Sequence, residues 1–166
     1  MLLAIDIHYK STYAKAVGVL FHWEDEVPQR IMTDIINTVA DYEPGQFYKR
    51  ELPCILQLLK QVDVNALEAI IVDGHVYIDN DKSFGLGGHL WQALGEKVPV
   101  IGMAKKAFHN TEQVATLIYR GQSKNPLFIS CIGISKEKVL KKVKLLHGSY
   151  RIPTILKTLD QHTKNQ

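Results

Sequence analysis

The sequence predicts an α/β fold: a mixed sheet, built from an antiparallel three-strand meander followed by alternating helices and strands, flanked by helices. Three observations point there. The first forty residues hold three apolar, β-branched stretches joined by short turns. From Tyr48 onward a 3.6-residue apolar period appears and then alternates with short apolar runs. No internal repeat, low-complexity tract or long linker interrupts the 166 residues, so one domain over 1–166 is expected.

Taken in order, residues 2–9 form the first strand, Tyr13 to Trp23 the second and Arg30 to Val39 the third. The turns between them are short enough for an antiparallel meander. Pro44-Gly45 marks a turn. Tyr48, Leu52, Ile55, Leu59 and Val62 then repeat with helical spacing. Pro53 conflicts with an uninterrupted helix, so either the helix starts near it or a first turn kinks there. Leu67 to Asp73 reads as a buried strand, Phe84 to Leu94 as a helix and Val98 to Ile101 as a short strand. Val114 to Tyr119 and Leu127 to Ile134 are further strands. Ser135 to Leu146 is a lysine-rich amphipathic helix whose lysines face solvent, and Pro153 to Thr163 is a last helix opened by proline.

Hydrophobic residues make up 46% and charged residues 22%, ordinary for a globular chain. A net charge of +3 and a pI near 8.8 permit a polyanionic partner without demanding one. Cys54 and Cys131 both lie in apolar runs, which fits reduced core thiols and excludes a disulfide framework or a zinc site. The N-terminus lacks a basic region, and Asp6 spoils any signal-peptide core. No apolar stretch approaches the roughly 20 residues of a membrane span. A soluble, cytoplasmic, monomeric protein with no membrane partner is the expectation.

Three acids stand out. Asp6 interrupts Leu2-Leu3-Ala4-Ile5-Asp6-Ile7, Asp73 closes Ala69-Ile70-Ile71-Val72-Asp73 ahead of Gly74, and Glu51 lies near a helix end. Each has an ordinary explanation: a wet strand face, a strand-ending turn, a first-turn acid favoured by the helix dipole. Together they carry more, because carboxylates beside apolar strands are costly without a partner. A hard divalent cation is the simplest partner for three oxygen acids. Strand-end acids also meet where α/β folds bind their ligands. A ribonuclease-H-like core has this order of elements, as do other α/β folds.

The motifs extend beyond the acids. Ala4-Ile5-Asp6-Ile7-His8-Tyr9 resembles the first-strand aspartate motif of endonuclease V. Tyr42-Glu43-Pro44-Gly45 followed by Lys49-Arg50-Glu51-Leu52-Pro53 is similar to that family's Tyr-x-Pro-Gly wedge and Arg-Glu-x-Pro element. Ile71-Val72-Asp73-Gly74 resembles its second aspartate motif. Phe84-Gly85-Leu86-Gly87-Gly88-His89-Leu90 and Pro99-Val100-Ile101-Gly102-Met103-Ala104-Lys105 follow in the same order and spacing. The series covers residues 2–106.

The resemblance implies a ribonuclease-H-like fold and a Mg²⁺-dependent endonuclease, with Mn²⁺ as an alternative ion. Its substrate would be DNA or RNA containing deaminated adenine (hypoxanthine), cut 3′ to the lesion for repair. Asp6, Glu51 and Asp73 would then be the metal carboxylates. Lys105 would offset charge near the scissile phosphate, and Tyr42, with Pro44 and Gly45, would form a wedge filling the gap left by an everted base. Gly74 would line the substrate site. The chain also departs from the family. Where the second motif usually continues Gly-x-Gly-x-x-His-Pro-Arg, this chain has Gly74-His75-Val76-Tyr77-Ile78-Asp79-Asn80-Asp81. Where bacterial members often place a histidine before Arg-Ile, it has Tyr150. These departures keep open a non-catalytic or substrate-shifted nucleic-acid-binding homologue.

Overall fold

The computed structural model describes residues 1–44 and 46–165. Among the described residues, seven strands form one sheet: β1 (Leu2–Tyr9), β2 (Ala14–Phe21), β3 (Arg30–Ile36), β4 (Ala69–Asp73), β5 (Val100–Ala104), β6 (Thr116–Ile118) and β7 (Leu127–Ile132). Their spatial order is β3-β2-β1-β4-β5-β7-β6. The β1–β2–β3 meander is antiparallel, as the short turns predict, while β1, β4 and β5 run parallel. Strands β5, β7 and β6 close the far side with antiparallel pairs. This is the mixed sheet expected from the sequence.

Among the described residues, four α-helices cover the two faces: α1 (Tyr48–Leu59), α2 (Leu86–Ala93), α3 (Lys136–Leu145) and α4 (Thr154–Lys164). Strand alternation sorts the apolar residues. Leu3, Ile5, Ile70 and Val72 pack with Ile55 and Leu58 of α1 and Leu90 of α2. Leu2, Ala4, Ala69 and Ile71 pack with Val139 and Val143 of α3 and Ile155 and Leu159 of α4. Pro53 lies inside α1, which begins five residues earlier at Tyr48. The missing proline N–H removes one main-chain bond. The buried face of Cys54, Ile55, Leu58 and Leu59 holds the helix together regardless. Among the described residues no helix is long and apolar enough to cross a membrane.

Some elements are shorter than expected, for local reasons. Strand β5 starts at Val100 because Pro99 has no N–H to pair. Helix α2 starts at Leu86 because Phe84 is drawn into a bridge with Tyr77 and Gly85 is extended. The lysine-rich α3 buries Val139 and Val143, and Lys138 pairs with Glu68 at 2.9 Å.

Arg120, directly after β6, is buried, and its guanidinium donates to five carbonyls: Val143, Leu146, Gly148, Tyr150 and Arg151. It therefore ties the end of α3 and the following loop to the sheet edge. Loss of these charge-assisted bonds would leave several buried carbonyls without a donor. Arg120→Leu is expected to cost about 3 kcal/mol, measured by urea unfolding. Arg120→Lys should restore only part, because one ammonium cannot reproduce the fork. An unchanged midpoint in Arg120→Leu would overturn this account.

Candidate nuclease active site

Asp6 and Asp73 each lie one residue beyond the Ile5–Val72 pair of the parallel β1–β4 ladder. Adjacent strands are about 4.8 Å apart, so both carboxylates leave the carboxyl edge of the sheet side by side, on the α4 face. Burial raises the pKa of Asp6, and nearby Asp160 raises it further, against a 2.8 Å hydrogen bond from the Thr163 hydroxyl. Asp73 is also raised, first by desolvation and then by Asp6, with Lys105 opposing. Its tip is open to solvent, but the surrounding protein removes much of its hydration. Asp6 thus makes Asp73 harder to ionise, as Asp160 does both of them.

Glu51 reaches the same edge from the opposite face, in the first turn of α1, and is only 8% exposed. Desolvation pushes its pKa up to about 8, and the charges of Asp6 and Asp73 add to the effect. Tyr9 and Arg50 enclose it. The Arg50 guanidinium lies 3.6 Å over the Tyr9 ring. The Tyr9 hydroxyl approaches Glu51 without completing a hydrogen bond, and among the described residues it is buried without a partner, as is Arg50 Nε.

Asp6 and Asp73 form a partition between two cavities. One, of about 300 Å³, opens on the α1 side and is lined by Tyr9, Tyr42, Phe47, Arg50 and Glu51. The other, of about 370 Å³, opens on the α4 side and includes Lys105, Tyr150, Lys157 and Asp160. Of the residues singled out from sequence, Asp6, Glu51 and Asp73 are therefore electrostatic neighbours. Lys105 is exposed just past β5, and Tyr42 is 55% exposed at the rim of the α1-side cavity. Pro44 is exposed near Tyr42 in sequence, and Gly45 lies outside the described residues. Gly74 carries no side chain for a substrate to meet, and its carbonyl packs against Gly102. A Cβ on Gly102 would come within 2.6 Å of that oxygen.

Asp160 is the residue that sequence reasoning missed. It stands in α4 at the helical spacing of Leu156, Leu159 and Thr163, an acid inside an apolar stripe. That interruption was the available signal, and its i,i+4 pairing with Lys164 at 2.9 Å masks it as a solvated ion pair. Tyr150 lines the same cavity as Asp160. His147, the near neighbour of Tyr150, instead meets Thr154 at 2.9 Å and Glu26 at 3.5 Å. Asp79 accepts the Ser83 N–H at 3.1 Å, which makes it a turn acid.

Asp6, Asp73, Glu51 and Asp160 are hard oxygen acids, the ligand type that Mg²⁺ or Mn²⁺ takes. Among the described residues, no group of three or more His, Cys, Asp and Glu side chains is placed to hold a metal ion. The donor chemistry and the crowded negative charge nevertheless fit a cation at the Asp6–Asp73 edge.

Comparison with known proteins gives this arrangement its context. A family model described as Endonuclease V matches residues 1–116. A search of curated proteins found no match. The crystal structure of human ENDOV is similar to the chain, with 19% identity, a TM-score of 0.75 and coverage of 98% of this chain and 82% of that one. Endonuclease V of Ciona intestinalis was solved with a 24mer DNA containing an inosine followed by a ribo-adenosine. It shares 20% identity and a TM-score of 0.81, covering 98% and 84%. The Bacillus subtilis protein shares 16% identity and a TM-score of 0.75, covering 98% and 77%. These likenesses show a common, ribonuclease-H-like fold. Since the family model spans 116 of the 166 residues, the chain belongs to the endonuclease V family.

Proposed function

We propose that this protein is a Mg²⁺-dependent endonuclease, able to use Mn²⁺, that cleaves a phosphodiester bond 3′ to hypoxanthine in DNA or RNA. The observation that carries the reading is the convergence of Asp6 and Asp73 on neighbouring strand ends, with buried Glu51 near enough that both charges add to the upward shift burial gives its pKa. Asp6, Glu51 and Asp73 would hold the ion, with Asp160 contributing charge from α4. Bound there, the ion supplies Lewis-acid polarisation of the phosphate and a water activated for in-line attack. Lys105 places a cation beside the acids and would neutralise the phosphate. Tyr42 offers an exposed ring for stacking where a base has been everted.

The test is nicking of inosine-containing DNA and RNA against adenosine controls, with Mg²⁺, with Mn²⁺ and with chelator. Metal-dependent cuts confined to the inosine strands support the reading, and their absence at high enzyme counts against it. Tyr42→Ala should weaken inosine cleavage about tenfold, within the roughly 1–3 kcal/mol of one aromatic–base stack. Tyr42→Phe should keep it, and equal activity in the two variants would remove the wedge role. A second reading, a non-catalytic or substrate-shifted homologue, draws on the Asp79 turn standing in place of the family's His-Pro-Arg. It predicts salt-sensitive binding that survives Asp73→Asn.

A further inference from the structure

The α4-side cavity has a floor that the proposed chemistry leaves unused. Ile71, Met103, Leu127, Ile152 and Leu156 make that floor apolar, while Lys105 and Lys157 stand at its rim. Its volume of about 370 Å³ falls at the small end of ligand sites, roughly 300–1,000 Å³. Tyr150 lines it and is 73% exposed. An aromatic this exposed is usually mobile, but the Tyr150 carbonyl is held at 2.6 Å by buried Arg120. The next residue is anchored too: Arg151 donates through Nε to the Pro126 carbonyl at 2.9 Å and through its other end to the Lys105 carbonyl. The Lys157 ammonium sits 5.8 Å from the Tyr150 ring centroid. The backbone under the ring is fixed, while the ring stays open.

We propose that this cavity binds one unpaired nucleotide of the substrate strand, on the side of the scissile phosphate away from Tyr42, with Tyr150 stacking on the base. An apolar floor and an aromatic face suit a base, and Lys105 and Lys157 suit its phosphates. Continuity favours this occupant over an unrelated small molecule, because Asp6 and Asp73 wall both cavities. A strand entering past Tyr42 and crossing the acids arrives at Tyr150. The substrate would then have to be locally single-stranded on both sides of the cut. This inference rests on the nuclease reading above and names the form of nucleic acid that the site takes.

The test places the fluorescent base 2-aminopurine at successive positions 3′ to inosine, with matched adenosine strands. Binding is followed with Mg²⁺ on the Asp73→Asn background, which keeps the strand whole. One position should be quenched on binding, Tyr150→Ala should abolish that quench and weaken binding about tenfold, and Tyr150→Phe should retain both. Lys157→Ala should lower the slope of log K against log salt by about one. Inosine strands that bind with no position sensitive to residue 150 overturn the proposal. Equal binding of inosine and adenosine strands, with the quench still dependent on Tyr150, supports the cavity and sinks the hypoxanthine reading instead. Failure to bind either strand overturns both.

Discussion

Asp73→Asn is expected to lower metal-dependent cleavage by about a hundred- to a thousandfold, the range seen when one electrostatic element of a preorganised site is removed. The substitution keeps the size of the side chain and removes its charge. In the metal-free protein the effect should be opposite in sign. Burial and the charge of Asp6 raise the pKa of Asp73, and on top of burial both acids raise that of Glu51. Deleting one charge relieves that repulsion, so Asp73→Asn should unfold at higher denaturant than the parent when chelator is present. The two measurements together separate a charge cluster built for a cation from a merely structural acid. A variant with near-parental nicking, or one destabilised without metal, would contradict the site.

The second large effect concerns pH. Glu51 has an ordinary pKa of 4.5 and is pushed up to about 8 in the folded protein. Between those values the folded state holds a proton that the unfolded chain has released. Stability of the metal-free protein should therefore fall as pH rises from about 4.5, by up to about 1.4 kcal/mol per pH unit, and level off above about 8. Asp6 and Asp73, both raised, act in the same sense and start lower, from 3.8. The total amounts to several kcal/mol. Millimolar Mg²⁺ should flatten the slope and raise stability most at alkaline pH, since a ligand that prefers ionised acids binds the folded state best there. Denaturant midpoints from pH 5 to 8.5, with Mg²⁺ and with chelator, test this. A flat metal-free profile, or one identical with Mg²⁺, would refute it.

Much of the architecture could be read from local pattern. Every strand and helix was expected in its place, because apolar period and turn residues agree along most of the chain. The ends were less legible where two residues met across space: Phe84 leaves the helical pattern only because Tyr77 offers a bridge. The placing of β7 between β5 and β6 was not legible, since it depends on which strand edges remain open. Asp6 and Asp73 were visible because an acid in an apolar strand run is expensive. Asp160 was not, since its pairing with Lys164 imitates a solvated helix face. Arg120 was equally hidden, because its five acceptors are main-chain carbonyls spread over residues 143–151.

The backbone register that seats Asp6 beside Asp73 sets how tolerant the molecule is to change. The gap between these two charges is inherited from the repeat of peptide groups across β1 and β4 and owes nothing to a side-chain contact. Tyr42 and Tyr150, by contrast, sit on separate connections outside the sheet. On the proposed function, insertions or substitutions in those connections would retune which strands are accepted while the spacing of the two acids stays constant. Divergence in substrate choice is thus mechanically uncoupled from loss of the reaction.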